Sequence, residues 1–118
     1  MKKLHLLLLS LVAISLSFSL AFAGVLDGKR LFNDTTLGTN EKSCNSCHPD
    51  GSGINGKKQS YTIMGQKLGS VEDAINLCIK MALNGKVLKK DSQKMKDLSS
   101  FVKTLTGKKR KRKMIKGC

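Results

Sequence analysis

Apolar residues recur along this chain in distinct rhythms, and each rhythm predicts an element. From Leu4 to Leu20 the chain is almost wholly apolar, behind Lys2 and Lys3. Much later, Val71, Ala74, Ile75, Cys78, Ile79 and Ala82 fall at i, i+3, i+4, i+7, i+8 and i+11, one stripe of an amphipathic helix. Ser70 offers an N-cap, Asp73 can complete a capping box in its acidic form, and Asn84-Gly85 supplies the stop, so a helix is predicted to about Leu83. A last helix is predicted from a cap at Asp91 or Ser92 to about Leu105. It places Met95, Leu98, Phe101, Val102 and Leu105 on one face and is closed by Gly107. Gly24 to Asn33 reads as a short first helix, in which Gly28 leaves room for another element to cross closely. Asp34 to Lys42 is polar and reads as a loop. Residues 54–69 carry Gly56, Gly65 and Gly69 with no periodic run, and read as a wrapping loop that offers Tyr61, Ile63, Met64 and Leu68. The single proline, Pro49, opens a sharp turn, Pro49-Asp50-Gly51-Ser52-Gly53, and leaves the helices unbroken. The pattern is that of a small all-α chain with three to four helices.

The apolar leader changes the picture of the whole. Lys2 and Lys3, the apolar run and the small-x-small site Ala21-Phe22-Ala23 make residues 1–23 a signal peptide, with the mature chain starting at Gly24. An uncleaved membrane anchor is the alternative, because the run is near the minimum length for a span. No cysteine follows the cleavage site, so lipidation there is not indicated. The remaining 95 residues suffice for one domain with a modest core. The chain has no tryptophan and only 4% aromatics, so a large apolar cofactor would supply much of that core. The formal charge is +14, but seven of the cations crowd into residues 108–116. Residues 107–118 therefore read as a basic, disordered tail, and 24–106 as a domain of only about +5.

The chemistry lies in Cys44-Asn45-Ser46-Cys47-His48. Cys-x-x-Cys-His is the pattern of covalent haem attachment. Its two thiols add to the two porphyrin vinyl groups, the two-residue spacer matches the distance between those vinyls, and the histidine becomes the proximal iron ligand. Zinc would need a second closing pair of ligands. The other cysteines, Cys78 and Cys118, lie far apart, and the other histidine, His5, lies in the leader. A dithiol redox site would need a βαβ context, which the pattern lacks. One haem c, held by Cys44 and Cys47 with His48 beneath the iron, is the cofactor expected. No acid–base pair or nucleophilic triad is visible, which argues for an electron carrier over a hydrolytic enzyme.

A haem motif after the first of a few short helices makes residues 24–106 resemble class I cytochrome c. The resemblance implies a crossing of first and last helices, with Gly28 and Phe32 meeting Phe101, and attachment of the haem outside the cytoplasmic membrane. It also implies a distal methionine from a Met-Pro segment before the last helix. Here that segment reads Asn84-Gly85-Lys86-Val87-Leu88-Lys89-Lys90, without methionine or proline. Candidates for the sixth ligand are Met95, Met64, Met81 and Cys78; Met95 is about the usual number of residues after His48, but it lies on the last helix's apolar stripe and reads as core. Ala74-Ile75-Asn76-Leu77-Cys78, Leu83-Asn84-Gly85-Lys86, Asp91-Ser92 and Leu37-Gly38-Thr39 resemble the haem domains of thiosulfate dehydrogenases and sulfur-oxidising Sox cytochromes. In that group a cysteine at the position of Cys78 ligates the iron of catalytic haems. Cys78 read without that resemblance is a buried small hydrophobe.

Two functions follow as expectations. The first is an exported, periplasmic monohaem cytochrome that carries single electrons. The second is a thiosulfate-oxidising haem subunit with Cys78 on the iron. A thioether on the distal side would raise the potential, and a thiolate would lower it. The basic tail is a solvated segment on one reading. On the other it docks acidic faces of redox partner proteins, or an anionic membrane surface. Nucleic acid is not an expected partner for an exported haem protein. Cys118 could cross-link chains, and a helix-buried Cys78 is a poor intramolecular partner for it.

Overall fold

The computed structural model describes residues 23–109. The leader apart from Ala23, the basic run from Arg110, and the candidates His5 and Cys118 lie outside the described residues. Helix α1 covers 23–33, and α2 is the single turn Cys44–Cys47. Two short strands, β1 (Tyr61–Ile63) and β2 (Gln66–Leu68), follow, and then α3 (Val71–Ala82) and α4 (Gln93–Thr104). The predicted caps are in place. The Asp73 amide donates to Ser70 Oγ (3.1 Å) at the start of α3, and the Met95 amide donates to Ser92 Oγ (3.3 Å) at the start of α4. The capping box of α3 closes differently from the usual pattern, because the Ser70 hydroxyl itself donates to the Asp73 carboxylate (2.7 Å). After α3, Asn84 adopts the left-handed conformation (φ 51°) and the Gly85 amide donates back to the Ile79 carbonyl (2.9 Å).

Residues 61–68 depart from the expected loop. They form an antiparallel hairpin, with Tyr61 opposite Leu68, Thr62 opposite Lys67 and Ile63 opposite Gln66. Met64 and Gly65 turn the chain with φ values of 51° and 78°, so both central residues are left-handed, as a tight two-residue hairpin needs. Strands of three residues are too short to show an alternating pattern. Methionine is also not a usual residue for that turn, so the sequence carried little signal.

The core is a contact between the first and last helices, closed by α3. A Cβ on Gly28 would collide with the Asp97 carbonyl and with Phe101 Cβ, so only glycine lets α1 lie against α4 there. One turn on, Phe32 meets Phe101 edge to face at 5.2 Å between centroids and 61° between planes. Phe32, Ile79, Leu83, Met95 and Leu98 are the largest fully buried side chains. Met95 is completely buried, as its helical spacing predicts. A second close approach joins the loop after α1 to the end of α3. Gly38 sits where a Cβ would strike the Leu83 carbonyl, and the Thr39 amide donates to that carbonyl (3.0 Å). Thr39 Oγ1 and Asn40 Nδ2 donate to the carbonyls of Asn84 (2.8 Å) and Ala82 (2.9 Å), which completes the capping of α3. Beyond α4, Asn55 bridges Thr106, and the Gly107 amide donates to the Ile54 carbonyl (2.7 Å), so the segment just past α4 is tied to the loop after the Cys-x-x-Cys-His motif.

Two outcomes are expected. Gly28→Ala will lower stability by about 1–3 kcal/mol, since the helices must part. Gly69→Ala, with open space around it, will leave the unfolding midpoint nearly unchanged. Thermal unfolding of the two variants makes the comparison. Asp73 is held below its ordinary value of 3.8 by the contact with Lys90 (2.6 Å) and then by Ser70. Its contribution is complete above that ordinary value and is lost as the pH falls through the lower folded one. The stability gap between wild type and Asp73→Asn will therefore be widest near neutral pH and close on acidification, as read from melting temperatures against pH.

Candidate functional site

The site is a cavity of about 310 Å³ between the haem motif and α3. Val71, Ala74, Ile75, Cys78 and Ala82 line one wall, which is the predicted apolar stripe of α3 without Ile79. Ile79 turns instead into the core and is fully buried. One helix face thus serves two surfaces, the protein core and the cavity. Phe32 from α1 and Leu98 and Val102 from α4 join the lining, and Tyr61, Thr62 and Ile63 bring β1 to it.

The opposite wall is the motif. A single turn of helix puts Cys44 and Cys47 three residues apart on one side, and both line the cavity with His48. Ser43 and Ser46 hold that turn open at its start, the Ser43 amide donating to Ser46 Oγ (3.0 Å). Asn45 Oδ1 accepts from the Asp50 amide (2.8 Å) and fixes the turn that follows. His48 Nδ1 lies 3.1 Å from the Ser52 carbonyl. A carbonyl only accepts, so Nδ1 carries the proton and Nε2 keeps its lone pair for a metal.

Cys78 lines the same cavity as the motif, from the facing helix. The two methionine candidates not read as core stand elsewhere. Met64 is at the hairpin tip and 65% exposed, Met81 is on α3 and 56% exposed, and neither lines the cavity. Burial pushes the Cys44 thiol up to about 11, with the nearby Cys78 adding to the rise. Burial, and then Cys47, also raises Cys78. Burial disfavours the charged form, so these thiols stay neutral.

The arrangement fits a flat, apolar, covalently held group. Among the described residues no three His, Cys, Asp or Glu side chains are drawn together tightly enough to hold a bare metal ion. Cys44, Cys47, His48 and Cys78 are instead spread around a cavity with mostly apolar walls, which suits a porphyrin whose iron brings its own four nitrogens. The Tyr61 hydroxyl is buried with no hydrogen-bond partner, so the empty-handed donor belongs to the cavity's lining residues. Sequence reasoning had singled out Tyr61 as available to the haem, but not Asn55 or Lys58, which also line the cavity. Only the hairpin and the return of residues 105–108 explain why that segment lies there.

Asn76 secures the helix that carries Cys78. Its Nδ2 donates to the Leu88 carbonyl (2.9 Å) and its Oδ1 accepts from the Leu88 amide (2.8 Å). Both backbone groups of one residue in the α3–α4 connection are satisfied by one side chain. That connection is the segment where a distal methionine was looked for and is absent.

A family model described as SoxA/TsdA, cytochrome c domain, matches residues 27–109. No curated protein and no solved structure matches the chain.

Asn76→Ala will leave Leu88 without either partner and cost about 1–3 kcal/mol. Asn76→Asp, which keeps the acceptor and loses the donor, will fall between it and wild type. Denaturant unfolding of the three proteins reads the order directly.

Proposed function

The chain belongs to the SoxA/TsdA cytochrome c domain family, whose covalent haem c serves electron transfer, and on that premise we propose a carrier with one haem held between His48 and Cys78. The observation that carries this reading is the sharing of one cavity by Cys44, Cys47, His48 and Cys78, while Met64 and Met81 are exposed outside it. When bound, the haem supplies a one-electron iron couple.

The chain's own residues do the rest. Cys44 and Cys47 hold the group by thioether bonds, so it cannot leave between oxidation states. His48 ligates through Nε2, and the Ser52 carbonyl keeps its ring from turning. Cys78 would offer sulfur from the facing wall, as a thiolate whose proton is released to solvent under the influence of the metal's charge. A thiolate donates electron density and stabilises the oxidised state, so the protein works at low potential. The apolar face of α3 excludes water from that side, which limits the rearrangement of solvent on each electron transfer. Lysines of the domain and tail suit transient docking to acidic redox partners. The leader supports export to the periplasm. Among the described residues no helix is long and apolar enough to cross a membrane.

A second reading has family support. The haem is the site at which a sulfur compound such as thiosulfate gives up electrons, with Cys78 on the iron. Addition of thiosulfate to the oxidised protein separates the two, since reduction of the haem without a partner protein belongs to the second reading alone.

The oxidised absorption spectrum of wild type beside Cys78→Ala tests the ligand. Loss of sulfur from the iron will change the spectrum and raise the reduction potential. An unchanged spectrum removes Cys78 from the iron, and a methionine–iron band at the red edge would assign the position to a methionine.

A further inference from the structure

We propose that the Tyr61 hydroxyl binds a carboxylate of the porphyrin, with Lys58 supplying charge at the same edge, so that the β1–β2 hairpin is the propionate-holding element of this protein. The inference rests on the haem reading above and goes beyond the iron ligands to the rim of the group.

Among the described residues, Tyr61 Oη is the one buried side-chain nitrogen or oxygen without a partner. A hydroxyl buried in that way has lost its bonds to water with nothing in exchange. Tyr61 lines the cavity and its hydroxyl is closed to solvent, so the partner it lacks must come from a group seated beside that ring. The protein's own acid near it is already engaged. Glu72 takes a hydrogen bond from Lys103 Nζ (3.0 Å). Burial, and then the charge of Glu72, raises the Tyr61 phenol above its ordinary value, so it remains a donor. A donor without an acceptor is matched by a carboxylate, which only accepts.

The surrounding wall agrees in charge and in hydrogen bonding. Lys58 lines the same cavity and supplies a cation to it, and Lys103 acts on the phenol from α4. Asn55 also lines it, and its Oδ1 accepts from the Lys57 amide (3.0 Å), which leaves its NH₂ group as a further donor. The pairing of Tyr61 with Leu68 fixes the height of the ring, and the left-handed turn at Met64-Gly65 fixes that register. A carboxylate carried into a mostly apolar cavity needs such partners to offset its lost hydration. The opposite wall, formed by α3, offers none of them among the cavity-lining residues named above.

The test uses the haem-loaded protein and its Tyr61→Phe variant. Resonance Raman spectra of the reduced forms read the propionate-bending band. The expected result is a shift of that band to lower frequency in Tyr61→Phe, and a smaller shift of the same sign in Lys58→Ala. An unchanged band in Tyr61→Phe overturns the inference, whether the hydroxyl then bonds a water or Glu72. If the variant fails to accumulate, the wild-type protein still decides by proton NMR. A slowly exchanging Tyr61 hydroxyl proton with an Overhauser contact to the propionate methylenes supports the inference, and absence of that contact sinks it. Intact mass separates the two proposals. A chain without the added haem mass defeats the functional reading itself, whereas a loaded chain with an unmoved band defeats only the role of Tyr61.

Discussion

The structure depends on one apolar helix face that serves two surfaces at once. Helix α3 presents one stripe, and Val71, Ile75 and Ile79 bind it into the buried core. The same stripe, through Val71, Ala74, Ile75, Cys78 and Ala82, also lines the cavity. A domain of this size has little apolar material to spare. The proposed haem would occupy that cavity, and the cofactor would then be part of the core as well as the seat of the chemistry. Folding and haem retention are then two aspects of one burial.

Three ties keep the cavity's walls in place, and each is made by small or polar residues. Gly28 lets α1 and α4 touch, and Phe32 against Phe101 continues the contact. Gly38 and Thr39 lock the loop before the motif onto the end of α3. Gly107 and Thr106 return the chain after α4 to residues 54 and 55 beyond the motif. The motif is therefore held at both ends, from α3 on one side and from α4 on the other. Against that frame the two proposed iron ligands differ in how they are positioned. His48 is oriented by a carbonyl four residues away, within one loop. Cys78 is oriented by the pitch of a helix, by its cap at Ser70 and by the clamp of Asn76 on Leu88.

Much of this was legible in the sequence, for physical reasons that also explain what was not. The stripe of α3, the serine caps and the Asn84-Gly85 stop are local, and the helices lie within a residue or two of where they were read. The crossing of Gly28, Phe32 and Phe101 followed from resemblance and is present in the packing. Leu37-Gly38-Thr39 and Leu83-Asn84-Gly85, quoted as separate fragments, prove to touch each other. The hairpin was missed because three-residue strands carry no period and Met64-Gly65 is an uncommon turn. The Asn76 clamp and the orphaned Tyr61 hydroxyl were invisible for another reason. Each depends on what a distant segment brings near, and no spacing along the chain records that. The sixth ligand was left among three candidates because sequence cannot tell a cavity wall from a surface.

The proposed function places the iron between the nitrogen of His48 and the sulfur of Cys78. Electron paramagnetic resonance of the oxidised, haem-loaded wild-type protein addresses both ligands at once. The account predicts the narrow, rhombic, low-spin signal of a ferric haem with a thiolate ligand. The broad, strongly anisotropic signal of a histidine–methionine haem, or a high-spin signal from an iron without a sixth ligand, would contradict it.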